Sequence, residues 1–192
     1  MVEPLSLQPM IEVLAAELCA DCALAGVWDE AQTYALQALE NRTNFFVAST
    51  RLTLWYETEA LARAGEIERA TEDVMRYGER IGASRRYRIC YLRALAVLAQ
   101  YSGESDQAIG LLQEAEKLAE EIGLPGELWP IQVVQGDLYL AQGDRAEAHT
   151  AFGKAAAIVQ KLGDSIGDDK QKANFLASPL TQRVLEHRSF GQ

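Results

Sequence analysis

Apolar residues recur along most of the chain at intervals of three and four, in stretches that end at glycine, such as LWYETEALARAG (Leu54–Gly65) and AIGLLQEAEKLAEEIG (Ala108–Gly123). No stretch alternates apolar and polar residues as a half-buried strand does, so the pattern predicts helices throughout. Four of the interruptions share one form: Gly26-Val-Trp-Asp-Glu-Ala31, Gly65-Glu-Ile-Glu-Arg-Ala70, Gly103-Glu-Ser-Asp-Gln-Ala108 and Gly143-Asp-Arg-Ala-Glu-Ala148. The glycines stand 39, 38 and 40 residues apart. A glycine just past a helix adopts the left-handed conformation that closes it, and an acid close behind favours the positive end of the next helix.

The alanine five residues after each glycine is small where two helices of a hairpin would approach. One turn further on the same face stand Ala35, Val74, Leu112 and Phe152, and after those Ala38, Tyr77, Ala115 and Ala155. Small, usually bulky, then usually small is the stripe of an interlocking hairpin. A second set of closures, Ile81-Gly82, Ile122-Gly123 and Leu162-Gly163, predicts where the later helices of the pairs end. The first pair has no such glycine and is expected to end on the polar residues from Asn41 to Asn44.

The predicted organisation is a tail over 1–8, four hairpins over 9–44, 48–82, 84–123 and 126–163, and a linker with a capping helix over 164–192. In that last segment Ser178 precedes Pro179, an N-cap followed by proline at the first helical position. Leu180, Val184 and Leu185 then form a short apolar face suited to covering the last hairpin. At the other end Met10, Ile11, Val13 and Leu14 open the first helix with no comparable cover. The expectation is either a water-tolerant outer face or a chain excised from a longer one, and self-association through this hairpin is a further reading.

Composition narrows the function. The 192 residues are 48% hydrophobic, enough for a core, and carry a net charge of −10, which opposes binding to nucleic acid or anionic membrane. No apolar run reaches the roughly 18 residues of a membrane span, and MVEPLSLQPM lacks the regions of a signal peptide. With three cysteines there is no disulfide framework, so a cytoplasmic location is expected. Cys19 and Cys22 form a C-x-x-C inside a helix without a second ligand pair, and are expected to be core thiols rather than a metal or redox site. His149 and His187 lie on different elements, and no phosphate loop or nucleophile motif is present. The sequence therefore predicts no enzyme, no cofactor and no metal.

The turns resemble those of the tetratricopeptide repeat family. The fourth hairpin is the most similar, with Gly136, Tyr139, Gly143, Ala148, Phe152 and Ala155 at the family's places, while Cys19, Thr58 and Ala96 replace the first glycine elsewhere. The family's usual period is about 34 residues, shorter than the one here; the extra length is similar to the longer repeats of bacterial regulators. The resemblance implies an all-α, right-handed superhelical array of antiparallel hairpins with a C-terminal capping helix. It also implies a protein-interaction scaffold that takes a partner peptide or helix in a concave groove.

Ten and six residues before each turn glycine, the groove positions implied are Ala16 and Ala20, Trp55 and Glu59, Arg93 and Val97, and Val133 and Asp137. Glu17, Tyr56, Arg63, Gln100 and Tyr101 would edge the same surface. Ala16 and Ala20 stand where a carboxylate clamp for chaperone tails needs lysine and asparagine, so that partner is not expected. The aromatic and arginine side chains at Trp55, Tyr56, Arg63, Arg93 and Tyr101 are hot-spot types, with Glu59, Gln100 and Asp137 completing the set. Arg76, Arg80, Arg85, Arg86, Arg88 and Arg93 lie close together in sequence and are read either as a solvated face balanced by acidic helices or as an anion-recognising patch. FLASPLTQRVLE (Phe175–Glu186) is similar to the ends of such repeat regions in large bacterial regulators, which implies the alternative of a regulatory or sensor segment of a transcriptional regulator or signalling enzyme.

Overall fold

A computed structural model describes residues 8–42 and 52–189. The described residues form ten α-helices and no strand: α1 (Gln8–Leu24), α2 (Trp28–Glu40), α3 (Leu54–Arg63), α4 (Ile67–Gly78), α5 (Arg85–Tyr101), α6 (Ser105–Glu121), α7 (Pro125–Gln142), α8 (Arg145–Ser165), α9 (Asp169–Leu176) and α10 (Pro179–Ser189). They fall into two compact units, Met1–Glu104 and Ser105–Gln192. That boundary lies in the turn of the expected third hairpin, so each unit is described by itself. The last two residues of the expected first hairpin, the start of the expected second, the N-terminal tail before residue 8 and the residues after 189 lie outside the described residues.

The turns form as the glycine spacing requires. Gly26, Gly65, Gly103 and Gly143 have φ between 77° and 82°. At each, two amides reach back to close the helix: Gly65 N to Ala62 O at 3.1 Å and Glu66 N to Leu61 O at 2.9 Å, for example. This pairing satisfies carbonyls that a helix end leaves without partners, and the positive φ it needs is free of steric cost only at glycine. Acids then occupy the first turns, among them Asp29, Glu68, Asp106 and Glu147. Asp144 caps α8 by accepting the Glu147 amide at 3.1 Å. At the end of α2, Asn41 Nδ2 donates to Gln37 O at 2.8 Å, so a side-chain amide stands where later pairs have glycine.

All twelve residues of the alanine stripe, from Ala31 to Ala155, are buried. In the first unit α1 packs on α2 and α3, α2 on α3, and α4 and α5 on α3 and on each other. Its apolar core includes Cys19, Ala31, Leu54, Leu61, Val74, Tyr77 and Cys90. Charge is buried there too. The Arg42 guanidinium, just beyond α2, meets Glu57 of α3 at 2.9 Å, Asp73 of α4 at 3.1 Å and Glu12 of α1 at 3.5 Å, and all four side chains are at most 6% exposed.

In the second unit α7 packs between α6 and α8, and α8 also carries α9 and α10. Gly136 of α7 lies under the Phe152 ring, where an added Cβ would come within 2.7 Å of it. Three side chains converge on Glu116 of α6: Gln132 at 3.1 Å and Gln135 at 3.0 Å from α7, and Lys154 at 3.2 Å from α8. Burial raises the Glu116 carboxyl, but these donors outweigh it and hold the group below its ordinary value.

The tail differs from its expectation in two respects. The expected closure at Leu162-Gly163 does not occur: α8 runs on to Ser165, and Gly163 is buried with Leu176 of α9 against it. The polar segment expected as a linker forms α9, started by Asp168, which accepts the Gln171 amide at 2.8 Å. The expected capping helix is α10, and Val184 is fully buried in the second core with Leu180 and Leu185 packed beside it. Ser178 bonds the Thr181 hydroxyl at 2.8 Å ahead of Pro179.

Arg42→Met should lower stability by about 3–5 kcal/mol, because it strands buried carboxylates, and urea unfolding of the variant measures the loss. Glu116 gives a pH signature. Its lowered carboxyl contributes stability that is present above the group's unfolded value and lost as pH falls through the lower folded one. The unfolding midpoint should therefore drop more steeply on acidification in the parent chain than in Glu116→Gln.

Candidate functional site

Helix α3 sorts its residues between core and surface. Leu54, Trp55, Glu57, Thr58 and Leu61 are buried, whereas Tyr56, Glu59 and Arg63 share the opposite side at spacings of three and four. Arg63 is held from two directions. Its Nη2 and Nε donate to Glu59 Oε1 at 2.7 and 3.1 Å, and its Cζ lies 3.9 Å from the centroid of the Trp28 ring. The ring comes from the first residue of α2, so the two hairpins of this unit build the contact together.

Tyr101, the last residue of α5, is 45% exposed. Partial burial raises its hydroxyl above the ordinary value, Arg63 lowers it and Glu59 raises it, so both charges lie within electrostatic reach. Gln100 beside it is half-buried. The half-buried Trp28 and Glu59 and the exposed Arg63 and Tyr101 thus form an arginine–aromatic cluster drawn from three helices.

Beneath α3 a second arginine stacks out of reach of solvent. Arg93 Cζ of α5 lies 3.3 Å from the Trp55 ring centroid, and the two residues are only 4% and 9% exposed. A planar, weakly hydrated guanidinium tolerates this better than an ammonium would, because the ring face replaces part of its lost water. The Tyr56 ring sits 5.0 Å from that of Trp55, tilted by 44°. Trp55 and Arg93 therefore brace the surface from inside.

The positions counted back from the turn glycines behave alike. Ala16, Ala20, Trp55, Arg93, Val97 and Val133 are buried, and among the eight only Glu59 and Asp137 are partly exposed. Asp137 belongs to the second unit, where Arg183 of α10 donates to its carboxylate. Burial raises that carboxyl, against the lowering charges of Arg183 and His187. His187 stacks on Phe152 with centroids 4.3 Å apart. Asp137 helps to seat the terminal helix. Trp28 is the residue that the repeat pattern conceals, because it falls within the recurring Gly-to-Ala segment at the start of α2; its bulk in that segment is the available signal.

The remaining candidates resolve simply. Cys19 and Cys90 are fully buried, and burial followed by the nearby Glu57 charge drives the Cys19 thiol far above its usual value, which makes it a poor nucleophile. Cys22 is half-buried, its sulfur 3.8 Å from Glu30. Among the described residues no group of three or more His, Cys, Asp or Glu is arranged to hold a metal ion, and no helix is long and apolar enough to cross a membrane. Arg76, Arg80, Arg85, Arg86 and Arg88 are exposed, unlike Arg93.

The two stacked arginines should respond differently to truncation. Arg93→Ala should cost about 2 kcal/mol or more, since it removes a desolvated stack, whereas Arg63→Ala should stay within about 0.5 kcal/mol of the parent. Thermal unfolding followed by circular dichroism distinguishes them. No protein-family model and no curated protein sequence matches the chain.

Proposed function

We propose that this protein is an interaction scaffold built from hairpins of the tetratricopeptide kind, and that the Trp28–Glu59–Arg63–Tyr101 surface engages a partner protein. The observation that carries this reading is Arg63, an exposed guanidinium already ordered by an aromatic face and a carboxylate. Binding usually costs such a long side chain its rotamer freedom, and an arginine held in place beforehand loses less. Its neighbours Tyr56 and Tyr101 supply rigid, amphipathic contact area, and arginine and tyrosine are the types enriched where interface energy concentrates. Support also comes from the chain's recurrent residues, which are spent on turns and helix packing, whereas Arg63 and Tyr101 fall outside that pattern and are exposed.

The partner's contact segment would present an acidic group to Arg63 beside an apolar residue between the tyrosines. The test is affinity capture from the source cell with the parent chain, followed by titration of the purified partner. Arg63→Glu and Tyr101→Ala should each weaken binding by about tenfold or more with the helical spectrum unchanged. A partner whose affinity ignores both substitutions would move the interface elsewhere. If the parent chain repeatedly captured nothing that Arg63→Glu did not, the scaffold reading would be lost.

A further inference from the structure

Helix α1 is apolar around most of its circumference, and among the described residues only one side of it is packed. Ala15, Ala16, Cys19, Ala20 and Ala23 face inward and are buried, while Met10, Ile11, Leu14 and Leu18 on the other side are 62%, 36%, 59% and 42% exposed. Met10, Leu14 and Leu18 follow one another at intervals of four, which places them in a line along the helix. Elsewhere exposed large apolar residues are scattered, as at Met75 and Leu140. Single exposures of that sort need no explanation, but a continuous row on one helix marks a contact surface. A helix apolar on both sides is suited to burial on both.

Charge indicates what would cover it. Residues 8–40, which span α1 and α2, contain Glu12, Glu17, Asp21, Asp29, Glu30 and Glu40 and no lysine, arginine or histidine. Glu12 is turned inward to Arg42, but Glu17 and Asp21 are exposed and flank the row of Leu14 and Leu18. A second copy laid on this face would bring a second set of the same acids against the first. Anionic lipid and nucleic acid are opposed by the same field, and nucleic acid has no use for the leucines.

We propose that the outer face of α1 is a docking site for an amphipathic helix whose apolar stripe is flanked by lysine or arginine. The stripe packs along Met10, Leu14 and Leu18 in the manner of helix-in-groove recognition, and its cations answer Glu17 and Asp21. This proposal does not rest on the Arg63 cluster, and binding at one does not require the other.

The probe is a fluorescein-labelled 18-residue synthetic helix of about six leucines on one face and lysines along its flanks, with a twin carrying glutamate in place of lysine. Both are titrated with the full chain by fluorescence anisotropy. The lysine probe should bind, more weakly as salt rises, and the glutamate twin should not. Leu14→Ser and the pair Glu17→Lys/Asp21→Lys should each weaken binding by about tenfold, with Met10→Ser as a second apolar variant and circular dichroism verifying the fold of each. Reversing the exposed pair Glu68→Lys/Glu72→Lys on α4 should change affinity by less than about twofold. Three results would overturn the proposal: no binding of the lysine probe, equal loss from the α4 reversal, or affinity indifferent to both Leu14→Ser and Met10→Ser. Sedimentation showing a dimer that Leu14→Ser dissociates would assign the face to a second copy and overturn it as well.

Discussion

One guanidinium holds the first unit in register. Arg42 lies just past α2 and binds carboxylates carried by α1, α3 and α4, each buried with it. Apolar packing is tolerant of small rotations, since one aliphatic contact replaces another at little cost. A buried carboxylate is not tolerant, because losing its cation leaves a desolvated charge without compensation. The four elements that meet at Arg42 are thereby restricted to arrangements in which Glu12, Glu57 and Asp73 all reach it. The alanine stripes bring these helices close, and Arg42 decides how each is turned.

That restriction extends to the surface. Glu57 and Glu59 are two residues apart on α3, so turning Glu57 inward turns Glu59 and Arg63 outward, toward Trp28. The same rotation puts Trp55 under Arg93, and the stack of that pair braces the helix from the side of α5. Three arginines in one unit thus have three roles. Arg42 is an electrostatic node, Arg93 a packed cation and Arg63 an ordered but accessible one. The second unit uses a carboxylate for the corresponding purpose: Glu116 gathers Gln132 and Gln135 from α7 and Lys154 from α8.

Much of the fold was legible because it rests on local chemistry. The Gly-to-Ala spacing located all four turns, since a left-handed closure is a property of the glycine and its immediate neighbours. The Ser178-Pro179 pair and the apolar face after it marked α10 for the same reason. Gly163 misled, because a glycine is also kept where another element approaches closely, and Leu176 does so there. The polar composition around Asp168 suggested a linker, although a short helix needs only a cap and one or two apolar residues on its buried side. For the candidate site, counting from the turn glycines selects positions along a helix but does not say which of them face outward. Glu59, Arg63 and Tyr101 are accessible, whereas Trp55 and Arg93 of the same set bury each other.

The sequence by itself determined that the described residues are helical, where left-handed glycines break the helices and which small residues are buried, all consequences of backbone conformation and periodicity within a few residues. Only the tertiary structure decided the partners of the charged and aromatic side chains. Arg42 with Glu12 spans 30 positions and Arg63 with Trp28 spans 35. Nothing local distinguishes an arginine that will be buried against a ring from one that will rest on a ring at the surface. Long-range packing makes that distinction, by setting the rotation of each helix through charges that cannot be buried alone.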